Sequence, residues 1–183
     1  MKNILLLTLF ALLLSNCDKD NTAPKTEEEK LPAATQEGKR TFGCLIDGKA
    51  WTPKAGVLPP PISVTYNEIT GDLRITARKN LDNTLSQLVS FYAPSISLDT
   101  FNLPLDKSIW FDTSTVCPAL SSINPLTGIG SKEYWNTNGT LIISKVDWST
   151  GIIAGTFEYD AYSPECADTI RITQGRFDVR YKY

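Results

Sequence analysis

Thr169 to Tyr181 reads TIRITQGRFDVRY, and this stretch decides how the chain folds. Its apolar residues stand at even positions, Ile170 and Ile172, and then at odd ones, Phe177, Val179 and Tyr181. Side chains alternate between the two faces of a β-strand, so a strand buried along one face keeps one parity unless an extra residue is inserted. The reading is one long strand carrying a β-bulge at Gln174-Gly175, where Gly175 supplies a positive φ that residues bearing a Cβ avoid. Ile170, Ile172, Phe177, Val179 and Tyr181 are then expected on one buried face, with Arg176, Asp178 and Arg180 pointing outward.

The same period recurs upstream. Thr41 to Thr52 reads TFGCLIDGKAWT, in which Asp47-Gly48 separates two β-type runs as a tight hairpin turn does. Ile62, Val64 and Tyr66 alternate with polar residues, Thr70-Gly71-Asp72 turns the chain, and Leu73, Ile75 and Ala77 alternate in their turn. Leu85 to Tyr92 and Ser108 to Phe111 are shorter strand candidates, confined by Pro94 and Pro104 to edges and ends. Gly139 to Val146 and Gly151 to Tyr162 complete the set, and no helical period follows residue 16. The expected fold is all-β, an antiparallel sandwich or partly closed barrel of about eight to ten strands, spanning residues 41–183.

Composition narrows the chemistry. Apolar residues make up 42% of the 183 residues, enough to fill a core. Eighteen Lys and Arg against twenty Asp and Glu leave a formal charge of -2, which offers nucleic acid no basic footprint. The chain has no histidine, which removes every Ser-His-Asp or Cys-His nucleophile and the commonest metal ligand. No calcium loop, Gly-rich phosphate cradle or Ser-x-x-Lys motif occurs, and no cofactor is expected.

Before the domain, residues 1–16 read as a removable leader. Lys2 precedes ILLLTLFALLL, Ile4 to Leu14, an uncharged run too short to cross a hydrocarbon core about 30 Å thick as a permanent helix. Leu14-Ser15-Asn16-Cys17 resembles the lipobox of bacterial lipoproteins, which implies that Cys17 becomes the acylated first residue of the mature chain and that membrane lipid is a partner. Asp18-Lys19-Asp20 resemble a surface-export signal. From Asp18 to Arg40, 11 of 23 residues are charged and none is aromatic, so residues 17–40 are expected to be an acylated Cys and a flexible tether, with the folded unit beginning near Thr41.

Thr41-Phe42-Gly43-Cys44-Leu45-Ile46-Asp47-Gly48-Lys49-Ala50-Trp51-Thr52-Pro53, with Gly155-Thr156-Phe157 and Thr173-Gln174-Gly175-Arg176-Phe177-Asp178, resembles a family of uncharacterised Bacteroidota lipoproteins. The resemblance covers most of 41–183. It implies a β-rich domain lipid-anchored to the outer membrane of the cell envelope, and no activity or catalytic residue.

Apart from Cys17 the chain has Cys44, Cys117 and Cys166, an odd number that permits one intramolecular disulfide. Cys44 shares parity with Phe42 and Ile46 and belongs in the core. Cys117 and Cys166 lie beside Pro or polar loop residues, which favours their pairing across a 50-residue span worth about 4 kcal/mol of loop-closure entropy.

Three kinds of site are compatible with these residues. Asp147, Glu158, Asp160, Glu165 and Asp168 include carboxylates that, paired in a cleft, could hydrolyse a glycoside, although surface and turn positions account for such residues more simply. Tyr134 and Trp135, next to Asn136 in a stretch rich in amides and hydroxyls, could stack on a sugar ring, although aromatic residues of small β domains more commonly cap the core; Trp51 and Trp110 are expected in the core. A barrel interior holding a small apolar ligand is a third arrangement. The leading expectation is a non-enzymatic binding module for a glycan, a small apolar ligand or an envelope protein, against an envelope glycan hydrolase or a purely structural component. Replacing Cys17 by Ser is expected to move the protein out of the membrane fraction; correctly processed Cys17→Ser protein that still pellets with membranes would remove the anchor.

Overall fold

A computed structural model describes residues 25–54, 60–82, 86–102, 109–112, 132–164 and 166–181. Among these, alternating side chains build ten strands: β1 (Thr41–Ile46), β2 (Lys49–Trp51), β3 (Ile62–Tyr66), β4 (Leu73–Asn80), β5 (Ser86–Ala93), β6 (Thr100–Asn102), β7 (Ile109–Asp112), β8 (Lys132–Asp147), β9 (Ile152–Ser163) and β10 (Asp168–Arg180). All ladders are antiparallel, in the order β2-β1-β10-β9-β8-β7-β5-β4-β3, with β6 paired to β8 off that path. Asp47 and Gly48 both take positive φ, as the two-residue turn between β1 and β2 requires.

The sheet folds over so that β5 faces β1, β9 and β10 across an aromatic core. The Phe91 ring lies 4.9 Å from Phe157, 5.5 Å from Phe177 and 6.4 Å from Phe42, while Phe42 meets Trp51 edge-on at 6.2 Å. The edge strands β2 and β3 share no ladder, so the layers form a sandwich and not a closed barrel. Among the described residues the seam is spanned by an isolated parallel bridge between Lys54 and Lys79 and by Trp51 Nε1 donating to Gln87 Oε1 at 3.0 Å. Cys44 is a free thiol in this core, and burial pushes its pKa up.

The bulge lies where the parity switch places it. Ile172 pairs with Tyr159 and Gly175 with Phe157, three residues against two. The same extra residue appears on the β1 side, where Leu45 pairs with Thr173 and Gly43 with Arg176. Ile170, Ile172, Phe177 and Val179 are buried and Tyr181 is half-buried against the core. One detail differs from expectation: Gln174 takes the positive φ of 51°, and Gly175 does not. Glycine is needed at 175 for close approach, since a Cβ there would run into the Phe157 carbonyl oxygen and stand 2.7 Å from its ring carbons.

The tether is the larger correction. Residues 27–40 lie against the domain, so the folded unit takes in the chain from Glu27 onward and does not begin near Thr41. Glu27 accepts the Ala50 amide at 2.8 Å, Glu28 pairs with Arg176 at 3.2 Å, Leu31 is buried, and Pro32 packs where Gly43 has no side chain. Asp178, expected outward, does leave the core face but is fully buried beneath this strap. Its carboxylate accepts from the Thr35 hydroxyl at 2.6 Å and from the amides of Glu37, Gly38 and Lys39 at 2.9, 2.7 and 3.2 Å. Composition hides this because the strap buries little apolar surface; one carboxylate and the peptide groups hold it.

Burial pushes the Asp178 carboxyl up, but the hydroxyl and the three amides together hold it below its ordinary value. A depressed carboxylate contributes stability that is present above the unfolded aspartate pKa, about 3.9, and lost as pH falls through the lower folded value. Stability followed by urea unfolding is therefore expected to drop in that acidic window, and Asp178→Ala to cost about 2 to 3 kcal/mol at neutral pH with the acid-dependent loss removed. Gly175→Val is expected to destabilise by about 1 to 3 kcal/mol through overpacking against Phe157, whereas the exposed Thr169→Ala stays within about 0.5 kcal/mol.

Candidate functional site

Residues of alternate parity on β8, β9 and β10 form the outer face of the layer, away from the aromatic core. On β9 the inward positions are Phe157, Tyr159 and Ala161, which leaves Thr156, Glu158, Asp160 and Tyr162 in a row on the outside. β8 starts at Lys132, seven residues before the strand expected from Gly139, because Tyr134 and Asn136 alternate inward within an otherwise polar run. Extra residues between Asn136 and Asn138 and between Ile143 and Lys145 keep this long strand in register with β9 as the sheet coils.

Adjacent residues of a strand face opposite ways, and this separates the two aromatic candidates. Tyr134 is buried, its hydroxyl 3.4 Å from Asp168 Oδ2, and it is a core residue and not a ligand contact. Trp135 lies outside, 42% exposed. Directly across the ladder from it stands Tyr162, 39% exposed, so two aromatic side chains share one exposed pair position with Cβ atoms about 5 Å apart. Tyr162 was not singled out from the sequence, although its even parity on β9 placed it outside.

From this aromatic pair the outer face continues along β9 into two grooves that share Thr140 and Glu158. One, of about 210 Å³, is lined by Asn138, Asp160, Arg171 and Thr173. The other, of about 400 Å³, runs past Ile142 and Thr156 to the bulge at Gln174 and to Ala34 of the strap. Arg171 Nε donates to Asp160 Oδ1 at 3.3 Å, and Arg176 is held by Glu28 and by the Gln174 carbonyl oxygen. The surface is thus a trough open to solvent, whose smaller groove is polar, with hydroxyls, an amide, carboxylates and a guanidinium group, and whose larger groove is more apolar along Ala34, Ile142 and Phe157; the aromatic pair stands beyond the smaller groove on the same face.

The remaining carboxylates serve turns. Asp147 accepts from the backbone and hydroxyl of Ser149 and from the Thr150 amide, which hold it well below the carboxylate range and close the β8–β9 turn. Asp168 accepts from the Thr169 amide at 2.8 Å and begins β10. Glu165 and Cys117 lie outside the described residues, as does the side chain of Trp110. Glu158 and Asp160 remain, side by side on one strand and not on facing walls. Among the described residues no group of three or more His, Cys, Asp or Glu could hold a metal ion.

No protein-family model, curated protein or solved structure matches this chain.

Proposed function

We propose that this is a lipid-anchored cell-envelope protein whose β-sandwich is a non-enzymatic binding module, with a sugar chain as the ligand of its outer face. The observation that carries the reading is the Trp135–Tyr162 pair, two half-exposed aromatic side chains in register on the same outer face as the polar groove. A pyranose ring has an apolar C–H face that stacks on an aromatic ring, and hydroxyl edges that carboxylates, amides and guanidinium groups bind in pairs. Trp135 and Tyr162 supply the first, and Asn138, Glu158, Asp160 and Arg171 the second. The trough is open along β9, which suits a chain better than a single enclosed sugar.

The enzymatic alternative, glycoside hydrolysis, needs two carboxylates flanking the scissile bond. Glu158 and Asp160 project from the same strand face, and Asp160 is engaged by Arg171, an arrangement that favours binding over cleavage. The lipobox-like Leu14-Ser15-Asn16-Cys17 and the resemblance to envelope lipoproteins support acylation at Cys17 and an outer-membrane address. The Cys117–Cys166 disulfide belongs to the same proposal. Its support is that, of the described cysteines, Cys44 is free and Cys166 is not.

Titration calorimetry with soluble β-linked glucose and N-acetylglucosamine oligomers is expected to give saturable binding. Trp135→Ala should weaken it about ten-fold or more and Tyr162→Ala by a similar factor, without loss of fold. Unchanged affinity in both variants would remove the aromatic pair from the site. Turnover of a glycan that is abolished by Glu158→Gln would replace binding by hydrolysis.

A further inference from the structure

The strand order ends in β2 and β3, and the chain treats these two edges differently. β2 has three residues, begins with Lys49, and turns the Ala50 amide outward, where the carboxylate of Glu27 in the strap accepts it at 2.8 Å. That edge is closed. β3 has five residues, ISVTY, with no charge and no proline among them, and it pairs with β4 in unbroken register from Ile62 opposite Ala77 to Tyr66 opposite Leu73. Charges, prolines and bulges are what usually guard an edge strand, and β3 has none of them.

The ladder fixes which backbone groups β3 has left over. The Arg78 amide donates to the Pro61 carbonyl oxygen at 2.8 Å, and the Asn67 amide to that of Asp72 at 2.9 Å. Hydrogen-bonded and non-bonded positions alternate in an antiparallel pair, so Ser63 and Thr65 turn their N–H and C=O groups to β4 while Ile62 and Val64 turn theirs away. Among the described residues no hydrogen bond meets these outward groups of Ile62 and Val64. Beside the free edge lies a groove of about 270 Å³, lined by Pro61, Ile62 and Val64 on one side and by Arg40, Val179 and Arg180 on the other. It shares no lining residue with the trough.

We infer that the β3 edge is a docking site for an extended, acidic peptide segment of a partner protein, which adds to the sheet as a further strand. The edge fixes the occupant's backbone, because donors and acceptors at every second residue match those of another strand. The groove fixes its side chains. Residues of an added strand that stand opposite Ile62 and Val64 point to the same side as these two, into the groove that Val179 and the two arginines line. That lining carries two positive charges and no carboxylate, and Arg180 donates to the carbonyl oxygens of Glu37, Gly38 and Thr150, none of which cancels its charge. One apolar and one acidic residue, two positions apart, satisfy both parts of the groove. A second copy of this chain fits less well, since pairing β3 with itself brings the arginines of both copies to one groove.

The test mixes the full-length protein with a labelled synthetic peptide of about nine residues, in which threonine alternates with valine and glutamate in turn. Fluorescence anisotropy reads binding, and hydrogen exchange reads the edge. In the free protein the Ile62 and Val64 amides are expected to exchange far faster than those of Ser63 and Thr65, and to become protected at saturating peptide. Affinity is expected to fall about ten-fold or more when the valine and glutamate amides of the peptide are methylated, and likewise when lysine replaces glutamate. Val64→Pro should do the same, because it removes an outward N–H and leaves the β4 ladder intact. The methylated peptide reads the same bonds on the unaltered protein, so the test stands even where that variant does not fold. No saturable binding, or binding indifferent to methylation, would overturn the edge site, and equal affinity for the lysine peptide would overturn its acidic ligand. Protection of Ile62 and Val64 without peptide would overturn it as well, in favour of a second copy where that protection grows with protein concentration.

Discussion

One extra residue in β10 sets the geometry of everything around it. With Gln174 accommodated at positive φ, Ile170 and Ile172 before the bulge and Phe177 and Val179 after it all reach the same core. Without it, either pair would face outward and the aromatic cluster of Phe42, Phe91, Phe157 and Phe177 would lose a wall. Gly175 permits the insertion because the Phe157 backbone and ring occupy the space where a side chain would stand.

The phase set by the bulge also fixes what the outer face carries. Arg176, Asp178 and Arg180 follow it in alternation, and all three engage the strap: Glu28 on Arg176, four donors on Asp178, and the carbonyl oxygens of Glu37 and Gly38 on Arg180. A segment with little apolar surface is held by a row of polar side chains presented at strand spacing. The strap in turn borders the trough at Ala34, so the face proposed to bind sugar and the strap share one support.

Much of this architecture is legible in the sequence, because a period of two survives in half-buried antiparallel strands. The parity switch located the bulge, Asp47-Gly48 located the first turn, and Phe42 and Cys44 fell on the core side. The misses share a physical cause. The strap and the first half of β8 are ordered through hydrogen bonds to partners far along the chain, and residues such as Glu37 to Lys39 or Asn136 to Asn138 carry no local periodic signal of such pairing. Asp178 reads as an outward charge on its own strand; only tertiary structure brings Thr35 and three amides to it. Of the aromatic candidates, Trp135 stands on the outer face and Tyr134 in the core, a distinction that strand alternation carries once β8 is extended to Lys132.

The central claim is that residues 35–39 are clamped to Asp178 and belong to the folded domain. Native-state hydrogen exchange at neutral pH reads it most directly. The amides of Glu37, Gly38 and Lys39 are expected to exchange with the protection of neighbouring strands and to lose it in Asp178→Asn while β9 and β10 stay protected. Exchange of those three amides in the unaltered protein at the rate of an unstructured peptide would contradict the account.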